Sequence, residues 1–98
     1  LTRAWLAPIV EGAGGRVLQA SDPDEPDLLV VDLTAAGALE AIARTRSGPS
    51  GVFILVFGPH VHGEVLRAAR EAGADEVVAR GAAAARIEKR IRSMEGPR

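Results

Sequence analysis

Pro26-Asp27-Leu28-Leu29-Val30-Val31-Asp32-Leu33 is the stretch that decides how this chain folds. Four branched apolar residues follow one another without a polar interruption. Two of them are β-branched, and such a run suits a strand covered on both faces inside a parallel sheet. Asp32 stands where the run ends. In open α/β sheets, ligands and chemistry collect in the crevice formed by loops leaving the carboxyl ends of the strands. Asp32 is therefore the first candidate functional residue.

The flanking sequence repeats the pattern. Val52-Phe53-Ile54-Leu55-Val56-Phe57 is a second all-apolar strand, broken by Gly58-Pro59 at the same edge as Asp32. Glu76-Val77-Val78-Ala79 is a further strand, delivering Arg80 to that edge. Helices alternate with these strands. Residues 35–46 carry Leu39 and Ile42 on an inward stripe and are stopped by Ser47-Gly48-Pro49-Ser50-Gly51. A helix opening at Glu64 and closing at Ala72 turns Val65, Leu66, Ala68 and Ala69 inward, and a last helix from Ala82 to Met94 buries Ile87, Ile91 and Met94.

Near the start, residues 3–11 place Trp5, Leu6, Ile9 and Val10 on one helical stripe, with Thr2 as N-cap. Pro8 predicts a kink or a short helix. Gly12, Gly14 and Gly15 end it, ahead of Arg16-Val17-Leu18-Gln19-Ala20, which reads as a strand. Phosphate cradles lie after a strand and before a helix, so the reverse order here marks a helix C-cap. Ser21 to Asp27 is an acidic, proline-broken connector whose spacing does not match a calcium loop. Strands alternating with helices predict a single α/β domain over 1–98, a parallel sheet wrapped by helices through right-handed crossovers.

Composition narrows the function classes. Ninety-eight residues suffice for one core. The apolar share of 47% with 26% charged residues is that of a soluble globular protein. A formal net charge of −1 provides no broad field for nucleic acid or an anionic membrane. The absence of cysteine excludes disulfides, thiolate metal sites and a cysteine nucleophile, and fits a cytoplasmic protein. The run from Val52 to Phe57 is far shorter than the roughly 20 apolar residues that span a bilayer. There is no basic-then-apolar leader, although the chain begins at Leu1 rather than Met, as a fragment would. No Ser-His-Asp order, paired carboxylates or cysteine dyad marks a hydrolase, so no enzyme is expected.

Two separated motifs resemble the receiver domain of response regulators, the phospho-accepting module of two-component signalling. Pro26-Asp27-Leu28 followed by Asp32-Leu33 is similar to the segment in which receivers carry the aspartate that accepts a phosphoryl group. Arg70-Glu71-Ala72-Gly73-Ala74-Asp75-Glu76-Val77-Val78-Ala79-Arg80 is similar to the stretch that ends in their lysine, and Leu6, Ile9, Val10 and Glu11 match their first helix. The resemblance implies a flavodoxin-like, receiver-type open parallel sheet with helices on both faces. It puts Asp32 in the phosphoacceptor-like position and Phe57 and Arg80 in the switch positions.

The departures from that pattern shape the functional expectation. Receivers begin with a strand tipped by two acidic residues that hold magnesium, and here nothing precedes the first helix. That strand is expected from an upstream segment or from exchange between subunits. The helix between the second and third strands is replaced by residues 22–27. Phe57 stands where receivers sense the phosphoryl group with serine or threonine, and Arg80 replaces the lysine. Phosphoryl transfer to a carboxylate relies on positioning and a divalent cation. Asp32 alone offers one oxygen cluster, and Phe57 cannot hydrogen-bond a phosphoryl oxygen.

The expected protein is therefore a pseudo-receiver, a signalling and protein-interaction module without phosphorylation or cofactor. In it Arg80 reaches across the intervening strand and pairs with Asp32. Magnesium enters only if Asp32 is phospho-competent. One alternative is a working receiver that uses Asp32 with magnesium and acidic residues upstream of Leu1; another is a small α/β domain that binds a ligand or nucleic acid. The plainest role for Asp32 is to cap the helix that follows.

A protein partner or a homodimer is expected on the face that receivers commonly use, made here by the 64–72 helix, the 76–79 strand and the 82–94 helix. His60 and His62 have the spacing of half a metal site. His60-Val61-His62-Gly63 resembles part of a cobalamin-binding motif, without its preceding aspartate and after the wrong strand. Arg86, Lys89, Arg90 and Arg92 lie on the last helix, where Glu88 stands i, i+4 from Arg92 as on a solvated surface. Neither nucleic acid nor membrane is the expected partner.

Overall fold

The computed structural model describes residues 2–17, 26–48, 51–59 and 62–94. In chain order the elements are α1 (Thr2–Gly12), β1 (Leu28–Asp32), α2 (Ala38–Ser47), β2 (Phe53–Gly58), α3 (Gly63–Ala72), β3 (Glu76–Ala79) and α4 (Arg80–Met94). β1 pairs in parallel with β2, and β2 in parallel with β3, so the described sheet has three strands in the order β1-β2-β3.

The central position of β2 accounts for its composition. Ile54, Leu55, Val56 and Phe57 are fully buried because both faces of this strand are covered. Alternation along it divides the core in two. Ile54 and Val56 pack with Val31, Ala38, Ile42 and Ala69 on the face covered by α2 and α3. Leu55 and Phe57 pack with Ala13, Ala83, Ile87 and Ile91 on the face covered by α1 and α4. Each fully buried large apolar side chain contributes roughly 1.5–3 kcal/mol of transfer free energy.

Helix ends follow local chemistry. Pro8 lies inside α1, where its exposed ring is accommodated without ending the helix. α1 closes in a Schellman arrangement: the Gly15 N–H donates to Val10 O at 2.8 Å and the Gly14 N–H to Glu11 O at 3.1 Å. Gly14 has φ 98°, which a residue with Cβ adopts only under strain. The C-cap role expected of these glycines is present, but Thr2 is already inside the helix rather than its cap.

Other boundaries move. α2 begins at Ala38 instead of residue 35, and α4 begins at Arg80 instead of residue 82, because β3 runs straight into it. Leu39 and Val65, expected inward, are 41% and 45% exposed. The seam between α2 and α3 is filled by Ile42 and Ala69, three and four residues further on, which leaves these two side chains at its open end. Arg16 and Val17 take no strand structure. The rest of that expected strand, connector residues 21–25, Pro49, Ser50, His60 and Val61 lie outside the described residues, as do the side chains of Thr2 and Trp5. Among the described residues, no helix is long and apolar enough to cross a membrane.

Candidate functional site

Strand register brings the three singled-out residues to one rim. Asp32 sits opposite Phe57 in the β1–β2 pair, and Phe57 sits opposite Val78 in the β2–β3 pair. Leu28 and Val30 point to the α1/α4 face, as do Phe57 and Val78. A period of two therefore aims Asp32 at that face, and Arg80 opens α4, the helix that packs on the same face. β1 and β3 are two sheet spacings apart, about 10 Å, a gap that an arginine side chain can cross.

Arg80 does cross it. Its Nη1 lies 3.8 Å from Asp32 Oδ2, and its guanidinium carbon lies 5.7 Å from the centroid of the Phe57 ring. The aspartate side chain is only 11% exposed while that of Arg80 is 51% exposed. The pair is thus shielded on the carboxylate side and wet on the other, where solvent weakens it. Phe57 is wholly buried and serves as the floor under the cation.

The other carboxylate oxygen is also engaged. Asp32 Oδ1 accepts the Thr34 N–H at 2.9 Å and the Thr34 hydroxyl at 2.7 Å. Ala35 N–H donates to Asp32 O at 3.0 Å, and Leu33 N–H donates to Phe57 O at 2.9 Å. Asp32 therefore ties down the turn over 33–37 rather than capping α2. The N-cap position of α2 belongs to Gly37, at φ 77° and without a side-chain cap bond.

Thr34 was not among the residues the sequence singled out. An aspartate followed two residues later by threonine is the local pattern of an Asx-turn, and that was the available signal. Two further clusters carried no such signal. Asp75 Oδ2 accepts the Ile54 N–H at 2.8 Å while Ile54 O accepts the Asp75 N–H at 2.9 Å, and Arg46 bonds both Asp75 and Gly73 O. Glu76, its side chain 13% exposed, pairs with Arg86 and, at 3.7 Å, with Arg90. The Arg90 guanidinium lies 4.0 Å over the Phe53 ring.

These contacts bear on the rival sites. Of the basic residues on α4, Arg86 and Arg90 are engaged by Glu76, and Arg92 pairs with Glu88 at 3.0 Å, as the i, i+4 spacing predicts. His62 occupies the N-cap position of α3, with its proposed partner His60 outside the described residues.

The magnesium implied for a phospho-competent Asp32 can be tested against the donor set. A hard divalent cation takes several converging oxygens. Among the described residues, no group of three or more His, Cys, Asp or Glu side chains converges. The Asp32 carboxylate at the rim faces a guanidinium. The described residues do not fit the ion.

No protein-family model matches the sequence, and no curated protein does. Solved structures do. A response regulator from Thermotoga maritima superposes with a TM-score of 0.66 at 20% identity, over 91% of this chain and 89% of that one. A response regulator protein from Burkholderia pseudomallei, solved with a phosphorylated aspartic acid, a calcium ion and citrate, gives 0.74 at 21% identity, over 97% of this chain and 66% of that one. The phosphorylated cyanobacterial phytochrome response regulator RcpA gives 0.57 at 15% identity, over 80% of this chain and 59% of that one. This chain spans under two thirds of the length of the second and third. The fold is that of response-regulator receiver domains, in flavodoxin-like form.

Proposed function

We propose that this domain is a pseudo-receiver: a signalling module that acts through protein contacts and does not carry phosphate on Asp32. The observation that supports it best is the state of the Asp32 carboxylate. To attack phosphorus, a carboxylate needs an oxygen lone pair aimed at the incoming group and a cation to neutralise developing charge. Here Oδ1 takes two donors from Thr34 and Oδ2 faces Arg80. The guanidinium contributes the positive charge from within the chain, and Phe57 supplies a ring where a phosphoryl oxygen would want a donor. Planar and always charged, arginine is suited to holding a carboxylate in one orientation.

Under this reading the working surface lies on α3, β3 and α4, and a protein partner or a second copy docks there. The domain has no catalytic residue, and its setting is cytoplasmic. The competing reading is a phospho-accepting receiver like the phosphorylated Burkholderia protein, completed by acidic residues outside this sequence. Incubation with acetyl phosphate and magnesium followed by intact-mass measurement separates the two. The pseudo-receiver shows no added phosphoryl mass. An added mass that disappears in Asp32→Asn establishes the competing reading.

A further inference from the structure

We propose that Asp32 couples the start of α4 to the groove between α2 and α3, with Thr34 as the positioning residue that transmits the effect. This rests on the reading of Asp32 as a carboxylate held by the chain's own groups. Two bonds of the turn converge on the Asp32 carboxylate, from the Thr34 N–H and the Thr34 hydroxyl, and the Ala35 N–H beside them bonds the Asp32 carbonyl. The helix that follows has no side-chain cap of its own at Gly37. The orientation of the Asp32 carboxylate therefore governs how firmly the turn is held.

The turn in turn positions an apolar wall. Leu33, at its start, and Leu39, just beyond its end, line a hollow of about 300 Å³ together with Glu64, Val65 and Ala68 of α3. Leu39 and Val65 are the exposed large hydrophobic side chains among the described residues. On the opposite side of the same carboxylate stands Arg80, the first residue of α4, half exposed and open to displacement from solvent. A carboxylate is rigid and planar, so rotating Oδ2 away from Arg80 also moves Oδ1 against Thr34. Whatever draws the guanidinium off is felt in the turn and at the groove wall, and the coupling acts equally in reverse.

Residue-resolved amide hydrogen exchange on the full chain tests this, comparing the unaltered protein with Thr34→Val, Thr34→Ser, Arg80→Gln and the Thr34→Val/Arg80→Gln double variant. Thr34→Val and Arg80→Gln each speed exchange at the amide of residue 34, which bonds the carboxylate itself, about fivefold beyond any change in intrinsic rate, the loss expected for one hydrogen-bonding contact in an exposed turn. Amides of β2 keep their rates, and Thr34→Ser restores the unaltered behaviour. Because both changes act through one carboxylate, the double variant exchanges no faster than either single one.

The proposal is overturned if Arg80→Gln alters only amides of α4, if the two effects multiply, or if β2 amides accelerate equally. Should Thr34→Val not fold, salt does the same work on the unaltered protein. Raising ionic strength to about 1 M shortens the screening length to about 3 Å, which speeds the Thr34 amide relative to that of Val56 if the coupling holds, and a constant ratio refutes it. Acetyl phosphate has no part in these measurements. A phosphorylated Asp32 would thus defeat the pseudo-receiver reading while exchange rates decide the coupling separately.

Discussion

Glycine 73 shows how much one residue can be asked to do. Its φ of 125° is a conformation that side chains disfavour, and a Cβ there would come within 2.7 Å of Arg46 Cβ and Cγ. Arg46 is held where it is by Gly73 O and Asp75. Gly73→Ala is expected to lower stability by about 2 kcal/mol, from strain and displacement of Arg46 together. Gly81→Ala, in α4 with open space around its Cβ position, is expected to raise it by about 0.5 kcal/mol through helix propensity. Urea denaturation of both variants checks the pair. At this scale the sequence revealed Asp32 and Arg80, since an apolar run ending in a charge is visible in one dimension. Thr34 is read as part of the site only once its hydroxyl is seen on Oδ1.

Elements were legible where their pattern was strong and shifted where neighbours intervened. Ala35 and Ala36 are good helix formers, yet they lie in the turn because the Asp32 carboxylate and carbonyl capture the Thr34 and Ala35 amides first. β3 passes into α4 without a loop, and the arginine expected at a strand tip opens the helix instead. α1 retains a proline in its interior because packing of Leu6, Ile9 and Val10 against the α1/α4 core outweighs the lost backbone bond. Pro8 is exposed, so Pro8→Ala removes the helix penalty without opening a cavity. It is expected to raise stability by about 2 kcal/mol, seen as a higher urea midpoint and slower amide exchange in α1.

Across the whole molecule, two apolar layers share one central strand. Ile54 belongs to the α2/α3 layer and Leu55 to the α1/α4 layer, and both are fully buried. If the chain folds as one unit, Ile54→Ala and Leu55→Ala each shift a single cooperative transition, by about 2–5 kcal/mol. A two-step unfolding curve in either variant, followed by circular dichroism, would contradict this. The same sharing explains why the receiver-type fold is recognisable in structure at about 20% identity: many apolar side chains fill the layers equally well, provided the alternation is kept.

From Leu28 onward, the order of strands and helices, and the end of the sheet at which Asp32, Phe57 and Arg80 gather, followed from the amino acids alone. Hydrophobic period and turn residues are local properties, and a parallel sheet puts every strand's carboxyl end on the same side. The grip of Thr34 and Arg80 on one carboxylate, the stacking of Arg90 on Phe53 and the hollow beside Leu39 came from folding in three dimensions. Each joins residues through distances of a few ångströms, set by strand register and by how closely helices settle on the sheet, and sequence spacing carries no measure of either.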